Sequence, residues 1–215
     1  MTEIPAPVGM QYGDRRHQAE TAIAGMWLFL ATEVLFFGAL LFAWMIYRAW
    51  HPSGFAEAAC RTDITIGTIN TILLLTSSFT FTAGLLAAEA GNMKGFVRGA
   101  GAAIGLGLGF IGLKAVEYHN DFTEHLVPGA GFAIAGPDRH GAELFYLFYY
   151  TATGVHLAHL AIGIGLVAYL LGRARLGTIG RGRTSPIEVV GLYWSFVDIV
   201  WLLLYPLIYL GGRGA

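Results

Sequence analysis

Residues 22–47 of this 215-residue chain read AIAGMWLFLATEVLFFGALLFAWMIY and contain one charged residue, Glu33. A helix needs about 20 apolar residues to cross the hydrocarbon core of a bilayer, so this stretch is long enough to span a membrane. It follows a polar segment, residues 1–21, and it is too long for the apolar part of a signal peptide. We therefore interpret it as a retained membrane span.

Four further apolar stretches have the length of a membrane span, namely residues 64–88, 96–118, 144–171 and 189–210. The whole chain is 55% hydrophobic and only 13% charged, and this charged fraction is roughly half that of a typical soluble domain. The sequence therefore predicts an all-α integral membrane protein, a single bundle of five transmembrane helices over residues 22–212.

The distribution of Lys and Arg between the loops predicts the orientation of the bundle. Eight of these residues lie on the side of the N-terminus and four on the opposite side (Arg15, Arg16, Lys94, Arg98, Arg173, Arg175, Arg181 and Arg183 against Arg48, Arg61, Arg139 and Arg213). We therefore expect the N-terminus in the cytoplasm and the C-terminus outside.

Several functions are disfavoured by the composition. The formal net charge is -1, so there is no basic surplus for binding nucleic acid. A single cysteine, Cys60, rules out an internal disulfide, a four-cysteine zinc site and an iron–sulfur cluster within one chain. No phosphate-binding loop, nucleophile elbow or zinc-protease motif occurs.

Three predicted spans carry an ionisable residue near the middle of the membrane: Glu33, His156 and Asp198. His159 lies one turn from His156. Because such groups are costly in hydrocarbon and usually pair inside a bundle, we expect these four residues to form a buried polar cluster, with Glu33 bonded to one of the histidines. The cluster is either a proton relay or a hydrogen-bond network that fixes the helix register. A metal site built from Glu33 and both histidines is a less favoured alternative.

Lys114 and Glu117 lie near the outer end of the third span. They are three residues apart, so their side chains share a helix face and can form an ion pair. We expect both to reach towards the membrane interface, because long charged side chains near helix ends commonly do so.

A regular glycine spacing marks the third span. Gly101, Gly105 and Gly109 follow one another at intervals of four and lie on one helix face. Such a stripe allows close approach of a neighbouring helix, so we predict that this face packs inside the bundle.

Five short motifs, one in each span, carry a resemblance to a known family. They are TEVLFF at 32–37, NT at 70–71 continuing to SSFT at 77–80, KAVEY at 114–118, TGVHLAH at 153–159 and YWSFVDIVW at 193–201. In this order they resemble subunit III of the haem–copper respiratory oxidases, the cytochrome c oxidase subunit 3 family, in its short five-helix form.

The resemblance implies an accessory subunit of a proton-pumping terminal oxidase in the inner membrane of a bacterium. Such a subunit carries no redox centre. It packs on the catalytic subunit I beside subunit II, sustains proton uptake during turnover and slows inactivation, and several members bind phospholipid. Haem and copper are then expected in the partner subunits, and this chain is expected to bind no cofactor and no metal.

Two features keep alternatives open. The family usually has histidine at the position of Ser195, and serine cannot carry a charge there. The five motifs also do not distinguish a cytochrome c oxidase subunit from a quinol oxidase subunit III or from an accessory protein of bacterial nitric oxide reductase. An independent transporter and a metal-dependent membrane enzyme are alternatives from other classes.

Overall fold

The computed structural model describes residues 15–178 and 185–211. These residues form six α-helices and a π-helical turn, with no strand in this part of the chain. The helices are α1 (Arg15–Trp50), α2 (Pro52–Arg61), α3 (Ile64–Glu89), α4 (Met93–Thr123), α5 (Arg139–Arg175) and α6 (Ser185–Tyr205), and the π-helical turn is Pro206–Leu210.

Five of the helices are long and apolar enough to cross a membrane: α1, α3, α4, α5, and α6 with the π-helical turn. The prediction of an all-α membrane bundle with five spans is therefore confirmed. The predicted orientation stays a prediction, and Arg181, Arg183 and Arg213, on which it partly rests, lie outside the described residues.

The helices extend beyond the spans expected from the apolar runs alone. The helix α1 begins at Arg15, so the end of the polar segment 1–21 belongs to it, while residues 1–14 lie outside the described part. The helix α2 was not expected, because ten residues with one apolar face do not resemble a span. It buries Phe55 and Ala58 against the bundle.

Side-chain caps fix where three helices begin. The carboxylate of Asp63 accepts hydrogen bonds from the backbone N–H groups of Thr65 and Ile66 at the start of α3. Asn92 caps α4 and Asp138 caps α5 in the same way. Each cap satisfies N–H groups that have no partner within the helix, so the ends of these spans are well defined.

The helix α6 lies at the centre of the bundle and contacts α1, α3 and α5, while α4 contacts α3 and α5. It is the most buried of the five spans and α1 is the least buried. On α1 the buried side chains Leu30, Phe37 and Trp44 recur every seven residues, which is a narrow packing seam. The opposite side of α1 is apolar and exposed.

The close contact between α3 and α4 depends on Gly84 and Gly99. A Cβ atom on Gly99 would lie 2.5 Å from the carbonyl oxygen of Thr80 and 2.8 Å from the Cα of Gly84. These distances leave no room for a methyl group on Gly99, and the facing Gly84 lets the two helices of this hairpin meet backbone to backbone.

The predicted glycine stripe does not pack inside the bundle, and this prediction is wrong for the described chain. A Cβ atom on Gly101 or Gly105 would meet nothing within 4 Å, and one on Gly109 would make an ordinary contact with Leu73. The packed face of α4 contains Gly99 and Gly107 instead. A shift of two residues rotates a side chain by about 200°, so the stripe lies on the opposite side.

Candidate functional site

One polar pair joins α1 to α5. Nε2 of His159 lies 3.1 Å from Oε2 of Glu33, and Nδ1 of His159 lies 2.9 Å from the carbonyl oxygen of Val155. A carbonyl oxygen only accepts, so Nδ1 carries a hydrogen. The contact between Nε2 and Glu33 then requires one more proton, held either by the imidazole or by the carboxyl group.

This pair lies at the edge of the bundle. The side chains of Glu33 and His159 are 19% and 16% exposed, and the ring of Phe37 packs edge-on against the imidazole of His159. Tyr193 of α6 donates a hydrogen bond to the carbonyl oxygen of His159. The pair is thus held by three helices but reaches the surface that the bundle presents to the membrane.

His156 lies apart from this pair in an aromatic environment. Its side chain is fully buried, with ring centroids 5.6 Å from Phe110 and 5.2 Å from Trp201. Neither ring nitrogen has a hydrogen-bond partner within residues 15–178 and 185–211.

Asp198 faces a third direction. It is buried on α6, and the hydroxyl of Ser78 on α3 is the polar group near its carboxyl group. Neither carboxyl oxygen makes a well-formed hydrogen bond with the described residues.

The prediction of one polar cluster is therefore wrong, because only Glu33 and His159 of the four residues are bonded to each other. The positions along the helices gave the depth of each residue in the membrane. They did not give the direction in which each side chain points around its helix axis. His156 points towards α4 and α6, and Asp198 points towards α3.

A second polar cluster lies between α4, α5 and the π-helical turn. Nζ of Lys114 lies 3.0 Å from Oε2 of Glu117, and it donates to the hydroxyls of Tyr149 at 2.9 Å and Tyr209 at 2.8 Å. Nζ also lies 4.3 Å from the ring centroid of Tyr149, close enough for a cation–π interaction. Asp121 completes the cluster, with its Oδ2 3.0 Å from the hydroxyl oxygen of Tyr149.

The expectation that Lys114 and Glu117 reach the membrane interface is wrong. Lys114 is fully buried and Glu117 is 2% exposed. Lys114 finds its partners inside the bundle, where three acceptors use all three of its hydrogens, so it gains nothing by extending to the interface. Asp121, Tyr149 and Tyr209 were not predicted. Asp121 lies one helical turn after Glu117, so its position could have indicated a shared helix face, whereas Tyr149 and Tyr209 lie on other elements.

The end of α1 and the beginnings of α2 and α5 meet at Asp138. Its carboxylate lies 2.9 Å from Nδ1 of His51 and accepts from the backbone N–H groups of Gly54 and Gly141. Burial alone would raise the pKa of Asp138, but the hydrogen bonds from His51 and the two N–H groups outweigh it and hold that pKa below its usual value.

Within the part of the chain that the structure describes, no three His, Cys, Asp or Glu side chains lie together in a group that could hold a metal ion. Ser195, the departure noted in the fifth motif, lies on the exposed face of α6 and not among the buried polar groups.

Fold and polar pairs together define a multi-pass helical membrane protein with ionisable groups paired between its spans. Residues 12–213 match the family model of cytochrome c oxidase subunit III. The chain belongs to this family.

Three relatives illustrate its range. The chain is 31% identical over 198 residues to the "Heme-copper oxidase subunit I+III" of Aeropyrum pernix, of which it spans only 22% while 87% of the chain is matched. It is 28% identical to "Cytochrome c oxidase subunit 3" of Alkalihalophilus pseudofirmus, with 92% of this chain and 90% of the relative covered. It is also 28% identical to "Quinol oxidase subunit 3" of Bacillus spizizenii, with 92% of each covered.

Proposed function

We propose that this chain is the non-catalytic subunit III of a proton-pumping terminal oxidase of the cytochrome c oxidase type. It packs on the catalytic subunit I, with subunit II in the same complex, in the inner membrane of a bacterium. Haem and copper belong to those partner subunits. Family membership and the Aeropyrum relative, whose name joins subunits I and III in one chain, support this proposal.

The observation that carries the proposal is the exposed edge of the pair formed by Glu33 and His159. Ionisable groups in the middle of a membrane are rarely left against lipid. The surface around the pair is therefore covered by protein in the assembled complex. The helix α1, the least buried span, supplies most of this surface through exposed side chains such as Phe36.

The proton that Glu33 and His159 share gives this surface a role in sustained proton uptake. A pair that holds one proton between two helices can accept or release it when the charge of a neighbouring subunit changes. The pair also fixes α1 against α5, so the same contact supports the stability of the complex.

Bound phospholipid is part of the proposal. A shallow apolar depression between α1, α5, the end of α6 and the π-helical turn, with Leu40, Trp44, Phe148 and Leu207 among its lining residues, offers an apolar contact to an acyl chain on the surface of the bundle. Lipid analysis of the complex purified in mild detergent tests this point, and a complex that retains no phospholipid would contradict it.

The experiment that tests the proposal is purification of the tagged chain from its own host in mild detergent, with a visible spectrum and mass spectrometry of the partners. We expect haem a or haem o bands and a copper-containing subunit I, and the subunit II found identifies cytochrome c or quinol as the donor. Haem b and haem c bands with nitric oxide reductase subunits would instead support the accessory protein of that enzyme. A colourless chain without partners would contradict both.

The contact surface has its own test. A photo-reactive amino acid at Phe36, which is exposed beside Glu33, should cross-link to subunit I. The matched control is Leu108, which is similarly exposed on α4. Equal cross-linking from both positions, or none from Phe36, would contradict the placement of this surface.

A further inference from the structure

The buried cluster around Lys114 has more acceptors than hydrogens. The ammonium group uses its three hydrogens on Glu117, Tyr149 and Tyr209. The hydroxyl of Tyr209 donates a hydrogen bond to Oε1 of Glu117, at 2.7 Å. These contacts already account for every hydrogen on the lysine and on Tyr209.

The hydroxyl of Tyr149 faces more acceptor oxygens than it has hydrogens to donate. Its hydroxyl oxygen accepts from Lys114 and lies 3.0 Å from Oε1 of Glu117 and 3.0 Å from Oδ2 of Asp121. A hydroxyl group has one hydrogen and can donate to only one of these two carboxylates. The other contact becomes a hydrogen bond only if the carboxyl group itself carries a proton.

The net charge of the cluster also favours a proton on one of its carboxyl groups. One ammonium faces two carboxylates, so the cluster has a net charge of -1 when all three groups are ionised, and a buried surplus charge is costly. The other titratable groups around it are Tyr118, Tyr146, Tyr150 and His156, with Glu124 adding negative charge near Asp121 and Arg61 acting on Tyr146. Within the described residues, none of these brings a second cation to hydrogen-bonding distance of the carboxylates.

We infer that this cluster binds one exchangeable proton, which Asp121 and Glu117 share through the hydroxyl of Tyr149. In the transfer step, the proton on Oδ2 of Asp121 moves to the oxygen of Tyr149. The hydroxyl hydrogen of Tyr149 moves at the same time to Oε1 of Glu117. Tyr149 is unchanged at the end, and one proton has passed from the aspartate to the glutamate.

The exposure of the three charged residues of the cluster decreases along α4 from Asp121 to Lys114. Asp121 is 7% exposed and lies two residues from the end of the helix, Glu117 is 2% exposed, and Lys114 is fully buried. A proton therefore enters at Asp121 and moves inwards along the helix. This site lies on different residues from the pair of Glu33 and His159, and it exists whether or not the chain assembles with an oxidase.

Infrared difference spectroscopy of the full chain across a pH series tests the inference. We expect a protonated carboxyl band that titrates, shifts in heavy water and persists in the variants Glu33→Gln and Asp198→Asn, which remove the other carboxyl groups inside the spans. The substitution Asp121→Asn should remove this band. Glu124→Gln, which removes an exposed carboxyl group at the same end of α4, is the matched control. The band should remain in this variant, even if its titration midpoint moves with the lost charge.

The variant Tyr149→Phe makes the test independent of whether D121N folds. It removes the hydroxyl that connects the two carboxyl groups, so the band should move to the position of a carboxyl group without that hydrogen bond. A wild-type chain with no titrating carboxyl band would overturn the inference. So would a band that persists in D121N or keeps its position in Y149F.

Discussion

Nε2 of His159 and Oε2 of Glu33 lie 3.1 Å apart at the edge of the bundle, and the carbonyl oxygen of Val155 fixes the hydrogen on the other ring nitrogen of His159. The two side chains can hold this contact only by sharing one proton. This relationship connects the first and fourth spans and gives the chain an ionisable group on a surface that a partner subunit would cover.

Replacing Glu33 by Gln should leave the fold almost intact, because the amide can donate to Nε2 of His159. Glu33→Ala and His159→Ala should each destabilise the chain by about 1–2 kcal/mol through loss of the interhelical contact. A double-mutant cycle on the purified chain measures the coupling between the two residues, which we expect to be about 0.6–1.7 kcal/mol. Additive effects of the two alanine substitutions would show that the contact does not stabilise the bundle.

Replacing Gly99 by Ala should destabilise the bundle by roughly 1–3 kcal/mol, because the new methyl group would overlap the backbone of α3. Gly105→Ala is the matched control on the same helix and meets nothing within 4 Å. It should be neutral or slightly stabilising, since alanine favours the helical state. Thermal unfolding in detergent compares the two variants, and equal losses would refute the described register of α4 against α3.

Removing the buried cation should be more damaging than removing the whole ion pair. Lys114→Gln leaves Glu117 and Asp121 without their ammonium partner, and we expect a loss of about 3–5 kcal/mol. The double substitution Lys114→Gln with Glu117→Gln removes one charge of each sign and should recover part of this loss. Expression level and thermal midpoint provide the measurement. A double variant less stable than K114Q would contradict this account of the cluster.

Acid should weaken the junction of α1, α2 and α5. The pKa of Asp138 is lowered from its ordinary value of 3.8, so its ionised form stabilises the folded chain above that pH. This contribution is lost as the pH falls through the lowered pKa. Asp138→Asn keeps a helix cap but cannot ionise. The thermal midpoint of the wild type should therefore fall more between neutral and strongly acid pH than that of D138N, and parallel curves would contradict the assignment.

The sequence alone was sufficient to predict the five-helix bundle, because each span is a long apolar run whose length distinguishes it from a helix of a soluble protein. It also placed Glu33, His156 and Asp198 at similar depths. It could not give their directions, since the rotation of each helix depends on contacts such as those of Phe37 and Trp201, which come from distant parts of the chain. The burial of Lys114 was missed for the same reason, because Tyr149 and Tyr209 lie on other elements.

The central claim is that this chain is an accessory subunit that supports turnover without taking part in the redox chemistry. The most direct measurement is oxygen consumption over time by the oxidase purified with this chain and from a strain in which the chain is deleted. We predict the same haem spectrum and a similar initial rate, followed by a faster decline without the chain. A complex without the chain that lacks its haem bands, or that declines no faster, would contradict the account.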